Sequence, residues 1–558
     1  MVFLFLNLFL SSIFLIGSGY QLLKVSRIQI KLNLVESGLF GFILLSFIAL
    51  FINFFLPLNK DVNTTIFLLI IVFFIYQNKN DLNKIIETLF ISLKISFIAV
   101  IFIAYSNNFD PDAFLYHLPY SNLINDYKIL PGSSLIHFRF GHISLFQYLN
   151  SLFNNYIFEV NGIAIPTSLV FSFFLLYLLN QIIKIIKHNQ NFTLYNFFII
   201  SVFIFLCLRM NRYSDYGNDN IATIFFLYFV SIFIKNFSND DIEIMKYISL
   251  LSTFIFTLKV FYFVPLILTL YLWIPKINSK IINFTNILCL FFISIWFVKN
   301  ILISGCAIYP VSFTCINKLP WHNTDNKSFL SPNQVALASE AWAKNWNTYY
   351  KKEKIQGKNI EKINSQKKYI KNFFWLNEWS QDHGKFILKK IFPYMVVILI
   401  LYIFCRKKIS TNKISGNNKL FLILFSINLL ALILWFIKFP IMRYGLAYIY
   451  IQIFLIFYFL FKNKYFNKLK FIIILSLFIF LSKNFIKIIN NFDNTIYPEF
   501  YKQTEYFEYK ENNFITYYTK ENELCGYYKS PCTNYVENLE NVETKEYLSY
   551  RFYSLKDN

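Results

Sequence analysis

Asp110 and Asp112, three of the chain's six histidines and one arginine fall within a single polar stretch between very apolar segments. It runs Asn107-Asn108-Phe109-Asp110-Pro111-Asp112-Ala113-Phe114-Leu115-Tyr116-His117 and closes with His137-Phe138-Arg139-Phe140-Gly141-His142. Three histidines and one arginine in so short a segment argue for contact with an anion or a metal. Asp-Pro also reads as a helix start, with Asp110 as N-cap and Pro111 at the first helical position. Capping accounts for Asp110 and leaves Asp112 to be explained. If the helix runs on from Pro111, Tyr116 lies one turn beyond Asp112 on the same face, and Pro119 kinks or ends the helix. Arg139 and His142 share a face if that segment is helical. Ile143, Phe146, Leu149, Leu152 and Phe153 then lay an apolar face on the bilayer. The stretch therefore reads as surface helix, connector, surface helix. The plainer alternative is a pair of interfacial helices with polar upper faces. No metal-ligand spacing among the histidines is compelling.

The elements that must hold these residues are membrane helices. Of 558 residues, 56% are hydrophobic and 15% charged, and the mean hydropathy is +0.45. Repeated apolar runs long enough to cross a bilayer make this an all-α polytopic membrane protein. The net charge of +22 then marks basic loops beside anionic lipid, not a nucleic-acid partner. The excess of Phe, Ile, Asn and Lys reflects an AT-rich coding bias. The first apolar segment, Val2 to Leu23, lacks a basic start and a small-residue cleavage site and reads as a retained helix.

Apolar segments fall near 3–23, 38–56, 64–77, 88–105, 157–182, 194–208, 221–235, 281–302, 389–404, 419–437, 445–461 and 469–482, and 247–273 is interrupted by Lys259. Basic loops at Lys24/Arg27/Lys31, Lys79/Lys84, Lys184/Lys187, Lys235/Lys246, Arg406/Lys407/Lys408/Lys413 and Lys462/Lys464/Lys468 go inside. The loops 106–156, 209–220, 303–388 and 438–444 and the tail from 483 are then outside. Parity between Lys246 and Gly305 requires 247–273 to be two short helices turning at Lys259; the alternative is one helix with a snorkelling lysine. The total is about fourteen crossings. The chain thus divides into N-terminal transmembrane helices (1–105), an outer loop of catalytic type (106–156), a transmembrane core (157–302), a large outer loop (303–388), C-terminal transmembrane helices (389–482) and an outer C-terminal segment (483–558).

The loop 303–388 holds five of the eight tryptophans: Trp321, Trp342, Trp346, Trp375 and Trp379. Indoles stack on sugar rings, and they also anchor at the lipid interface. The tail, rich in Tyr, Asn and Glu, reads as a small outer domain or a lid. Cys207, Cys289 and Cys405 lie in apolar segments. The other four fall outside, and their short spacings suit local disulfides, Cys306–Cys315 and Cys525–Cys532, in an oxidising space. Free thiols or pairing across the two regions are the alternatives.

An acidic residue in a large outer loop, flanked by surface helices in a polytopic chain, resembles the GT-C superfamily of glycosyltransferases and bacterial multi-pass membrane proteins of that build. Asp110-Pro111-Asp112 to His117 and His137 to His142 carry the likeness. Asn300-Ile301-Leu302-Ile303-Ser304-Gly305-Cys306-Ala307-Ile308-Tyr309-Pro310, Pro440-Ile441-Met442-Arg443-Tyr444-Gly445 and Cys525 to Cys532 add to it. Here about three more crossings precede the acidic loop than in GT-C enzymes. The resemblance implies a bundle of GT-C type in a bacterial inner membrane, with its active face periplasmic. It also implies transfer of a sugar from a polyprenyl-phosphate carrier to a lipid, glycan or protein acceptor. Asp112, with Asp110 second, would be the general base. Lys259, Arg443, Arg139, Arg209 and Arg212, with His117, His137 and His142, would meet the substrate phosphate. Asp215 and Asp219 would pair with those cations. Some GT-C enzymes use a divalent metal; none is expected here, and no other cofactor.

Three other classes fit the composition. A transporter or flippase for a lipid-linked glycan favours an internal repeat and midplane charges, neither of which is evident. An O-antigen polymerase or ligase relies on outer-loop arginines. A membrane scaffold needs no chemistry.

Overall fold

The structure is a computed structural model. It describes residues 1–30, 32–106, 111–187, 193–209, 216–276, 281–323, 331–352, 359–403, 406–407, 417–461, 464–465, 469–492, 496–498, 505–512, 514–520, 523–547 and 550–556. Asp110, Arg212, Asp215 and Cys405 lie outside these residues, and Arg209 is described in its main chain alone.

The helices begin with α1 (Val2–Val25), α2 (Leu34–Asn53), α3 (Lys60–Gln77), α4 (Leu82–Ile103), α5 (Leu118–Asp126), α6 (Ser133–Ile136), α7 (Leu145–Leu152) and α8 (Ile165–Lys187). There follow α9 (Leu194–Arg209), α10 (Asp219–Asn236), α11 (Ile242–Leu258), α12 (Val264–Trp273), α13 (Phe284–Ser304), α14 (Pro332–Ala343), α15 (Trp346–Lys352) and α16 (Asn359–Lys371). The set ends with α17 (Trp375–Trp379), α18 (Lys385–Ile403), α19 (Asn417–Lys438), α20 (Met442–Phe461), α21 (Leu469–Asn490) and α22 (Val536–Glu540). Among the described residues, 11 helices are long and apolar enough to cross a membrane, and α9 and α12 are shorter apolar helices. This is a helical polytopic membrane protein. α8 and α10 are apolar all round and buried; α3, α4, α18, α19 and α21 turn Leu68, Phe90, Leu388, Leu430 and Phe478 outward. Outward-facing apolar rows of that kind belong against lipid.

α1 and α2 pack backbone to backbone. A Cβ on Gly19 would stand 1.7 Å from the Ser37 carbonyl oxygen, and one on Gly41 would stand 2.0 Å from that of Leu15. Small residues let helices approach this closely where lipid offers no hydrophobic drive to association.

Residues 247–273 form two helices. The α11 helix ends at Leu258, and Lys259 caps it in extended conformation, its N–H donating to the Ile255 carbonyl at 3.0 Å; α12 starts at Val264. Both ends of that turn therefore bring Lys259 to the edge of the bundle.

The stretch between α4 and α8 departs from a surface helix pair. From Pro111 the helix passes through a π-turn, Ala113–His117, and continues as α5 to Asp126, with Pro119 inside it. Proline does not end it there, because the wide turn shifts the hydrogen-bond register just before the residue that cannot donate. All eight residues of α7 are buried, so it does not lie on the bilayer. Its polar side chains are consumed internally: Ser144 Oγ donates to Gln147, Ser151 Oγ to the Ser121 carbonyl at 3.2 Å, and Asn125 Nδ2 to the Ser151 carbonyl at 3.0 Å. Trp346 and Trp375 are likewise buried, in a small core with Ala341 and Tyr369, and do not anchor at an interface.

Beyond α21 the tail is built mainly of strands, with the short α22 among them. β3 (Tyr506–Glu511), β4 (Phe514–Thr519) and β5 (Cys532–Thr533) form one sheet, and β6 (Val542–Tyr547) and β7 (Tyr550–Leu555) a hairpin; β1 (Arg406–Lys407) and β2 (Lys464–Tyr465) pair elsewhere. Runs such as Phe514-Ile515-Thr516-Tyr517-Tyr518-Thr519, β-branched and aromatic, favour strand over helix. The tail docks on the 113–158 stretch, where the Tyr553 N–H donates to the Pro131 carbonyl at 3.0 Å.

Replacing Gly41 with leucine should therefore lower the thermal unfolding midpoint of the detergent-purified chain, with a loss of about 1–3 kcal/mol for overpacking. An unchanged midpoint would show that α1 and α2 are not in this contact.

Candidate functional site

Four charged groups from distant parts of the chain meet at one end of the bundle. Asp112 precedes the π-turn, Asp219 is the first residue of α10, Lys259 follows the last residue of α11, and Arg443 sits in the first turn of α20. Arg443 Nη1 donates to Asp112 Oδ2 at 2.6 Å, and its Nε lies 3.8 Å from Asp219 Oδ2. Lys259 Nζ donates to Asp219 Oδ1 at 2.7 Å and to the Arg443 carbonyl at 2.8 Å. The result is a chain of alternating charge, Asp112–Arg443–Asp219–Lys259. Aromatic rings wall it in. Lys259 Nζ lies 4.5 Å from the Tyr444 ring centre and 5.0 Å from that of Tyr262, and the Arg443 guanidinium lies 5.1 Å from that of Trp342. Trp342, 38% exposed, is the tryptophan of the large loop that reaches this cluster.

Arg139 completes the site. It lies on a short 3-10 turn, Phe138–His142, whose start is set by the His137 Nδ1 accepting the Arg139 main-chain N–H at 3.2 Å. Its guanidinium stacks over Tyr116 at 5.0 Å and Phe138 at 5.4 Å. Arg139 makes no ion pair among the described residues, and its Nε is buried without an acceptor. Among the described residues it is the one of these three cations that forms no ion pair with a carboxylate.

The histidines are not cations in this structure. His117 is buried, and its Nδ1 faces Gln147 Nε2 at 2.9 Å; because the amide donates, Nδ1 accepts and the ring proton sits on Nε2. Burial pushes its pKa down to about 4, against the opposing pull of Asp112 and Asp219. His137 has no solvent exposure and is stacked on Phe140 at 4.9 Å, and burial, helped by Arg139, takes its pKa down to about 3. His142 is exposed and meets the Tyr309 ring edge-on at 5.1 Å. The expectation that His117 and His137 meet a phosphate as charged groups is therefore corrected: both are neutral, and both orient neighbours. Asp112 behaves oppositely. Burial works against its ionisation, but the charge and hydrogen bond of Arg443, with the charge of Arg139, outweigh that and hold the carboxyl below its usual range.

The structure forms both disulfides, Cys306–Cys315 and Cys525–Cys532. His322 lies beside the first, Nδ1 to Cys306 Sγ 4.0 Å, but sulfurs joined to each other have no thiolate to give a metal. Reading the sequence by itself placed Tyr116 on the face of Asp112 but did not single out Tyr444 or Gln147. Tyrosine and glutamine are too common in this chain to stand out, and only their burial beside charges marks them.

A family model matches residues 1–450, which include every member of the ion cluster. The chain belongs to the family described as a domain of unknown function, DUF8201. No curated protein and no solved structure matches it.

A carboxyl with a depressed pKa adds stability that is complete above the ordinary carboxylate pKa and is lost as pH falls through the depressed one. The stability gap between the wild-type chain and Asp112→Asn should therefore be full above pH ~4 and shrink below it. Thermal unfolding of both proteins between pH 3 and 7 checks this, and a gap that stays constant across that range would show Asp112 not to be held by Arg443.

Proposed function

We propose that the protein is a membrane glycosyltransferase that moves a sugar from a polyprenyl-phosphate carrier to a hydroxyl acceptor, with Asp112 as general base. The observation that carries this reading is the junction of Asp112 with Arg443, Asp219 and Lys259 at one end of the bundle, beside the unneutralised Arg139. A group that removes a proton and groups that receive an anionic leaving oxygen must share one chamber in such a reaction.

The step balances as follows. The acceptor oxygen attacks the anomeric carbon as its proton passes to Asp112. The bond from that carbon to the phosphate oxygen breaks on the opposite side, and the configuration inverts. The lipid phosphate leaves with the electron pair. Arg139, which forms no ion pair among the described residues, would take that charge; Lys259 and Arg443 are already shared with carboxylates. A phosphate that draws on Arg443 loosens its hold on Asp112 and makes the carboxylate a better base at the moment one is needed. Trp342, covering Arg443, offers an indole face to a sugar ring.

In this reading the cluster faces the periplasm of a bacterial inner membrane. Basic loops would be cytoplasmic, and both disulfides would then lie on the oxidising side with the cluster. The three helices α9, α11 and α12 would cross the membrane with the 11 longer ones.

Purified chain in lipid nanodiscs, given a panel of tritiated polyprenyl-phosphate hexoses and an envelope extract as acceptor, should transfer label. Asp112→Asn should cut turnover about 10²–10⁴-fold, the usual worth of a general base. Arg139→Gln should instead raise the donor KM roughly ten- to a hundredfold, the value of a charged hydrogen bond. Undiminished transfer by a well-folded Asp112→Asn would overturn the assignment.

A further inference from the structure

Pro119 leaves a gap in the main-chain ladder of the helix that carries Asp112. In the π-turn, the Leu118 N–H donates to the Ala113 carbonyl, five residues back. The next donor in that register would be residue 119, a proline with no N–H. The Phe114 carbonyl is instead met from the other end of the chain: the Gly526 N–H donates to it at 2.9 Å. Phe114 is buried, and a carbonyl left without a donor there would cost a free energy comparable to a lost hydrogen bond.

Gly526 is held for this contact. Its φ of +63° is one that glycine adopts without strain, and it sits inside the loop closed by Cys525–Cys532, both cysteines 1% exposed. The neighbouring Tyr527 hydroxyl donates to Asn125 Oδ1 at 2.8 Å and accepts from Asn154 Nδ2 at 2.8 Å, which ties the same loop to the far end of α5. Just beyond the disulfide, Thr533 Oγ1 and Asn538 Nδ2 both donate to the Ile136 carbonyl, at 2.7 and 3.2 Å, and the Tyr535 ring meets His137 edge-on at 5.0 Å. This stretch of the tail thus grips the helix within its π-turn and near its far end, and also the residues that lead into Arg139.

We infer that the Cys525–Cys532 loop is a positioning element of the site, in which Gly526 and Tyr527 set the rotation of the helix presenting Asp112, Tyr116 and His117 to Arg443. The tail is then a working part of the membrane domain and not a separate outer module. Its catalytic consequence rests on the proposed function; the geometry it requires does not.

The test uses the full chain in detergent with two variants, Cys525→Ser/Cys532→Ser and the gentler Tyr527→Phe. Hydrogen–deuterium exchange by mass spectrometry reads the amides of 111–126 against those of α1 and α2. The pH dependence of carbodiimide coupling at Asp112, read by peptide mass, reports where that carboxyl titrates. Both variants should speed exchange in 111–126 at least tenfold with α1 and α2 unchanged. They should also raise the Asp112 midpoint by about one pH unit as the carboxyl loses its register with Arg443. Exchange in 111–126 that stays unchanged, or that rises equally in α1 and α2, would overturn the inference, as would an unmoved midpoint. No sugar enters either readout. A negative result here therefore leaves the Asp112→Asn transfer experiment standing, and a negative transfer result leaves this one standing.

Discussion

The sharing of one guanidinium between two carboxylates is the constraint on which the site end of this molecule depends. Arg443 lies in the first turn of α20, where the helix macrodipole is positive and a cation is disfavoured. It is tolerated because Asp112 and Asp219 meet it, and each of those stands at the start of a helix, where an anion is favoured. Lys259 follows the end of α11, the right place for a cation. Three helix starts and one helix end therefore converge on a point, and the side chains there correct the sign of the field that the backbones create. Removing a single member of a buried set like this strands the others, at a cost of about 3–5 kcal/mol. Loops that are far apart in sequence are thereby obliged to close together.

Buried lysines elsewhere act by a related rule. Lys299 of α13 donates to the Ile143 carbonyl at 2.8 Å, and Lys487 of α21 to those of Ile101 and Phe102 at 3.0 and 2.7 Å. Lys483 donates to the Leu208 carbonyl. Ile101, Phe102 and Leu208 belong to the last turns of α4 and α9, whose carbonyls lack helical donors and carry the negative end of the dipole. A charge in an apolar helix is costly, so each of these lysines is a tie between a membrane helix and the loop system that carries the site. The ends of α4 and α9 lead directly into the stretches that hold Asp112 and Asp219. The cations that look anomalous in hydropathy are thus part of what aligns the cluster.

Much of this was legible in the residues. Apolar runs marked the long helices, and charge parity required 247–273 to turn at Lys259. Spacing paired the cysteines. Asp112, Lys259 and Arg443 could be grouped because charges at loop edges of a membrane chain need a reason to be there. The failures share one cause. Along α7, Ser144, Gln147 and Ser151 alternate with leucines and phenylalanines much as they would in a helix lying on a bilayer. Periodicity reports that a face is polar, not whether water or the protein satisfies it. The same limit hid the histidines, since a ring's charge follows from burial and from partners such as Gln147 that lie thirty residues away. The π-turn and its donor were out of reach, because nothing in Pro119 names a glycine in the tail as the group that compensates for it.

That compensation bears on how the two halves of the site are related. Asp112 and Arg139 lie on one stretch, and Arg443, Asp219 and Lys259 lie on helix ends across from it. The stretch has two kinds of fastening. On one side the Arg443–Asp112 ion pair binds it to the bundle; on the other the tail holds its main chain at Phe114 and Ile136 and the Asn125 side chain. In the proposed reaction an anion that drew Arg443 off Asp112 would release the first fastening and leave the second intact. The carboxylate would then accept a proton without the helix that carries it losing its place. A stretch held by the ion pair alone would move away when its partner was drawn off. In the proposed reaction, holding the Asp112 carboxylate in place by its backbone while its side chain changes partner would be the physical service of the strand-built tail.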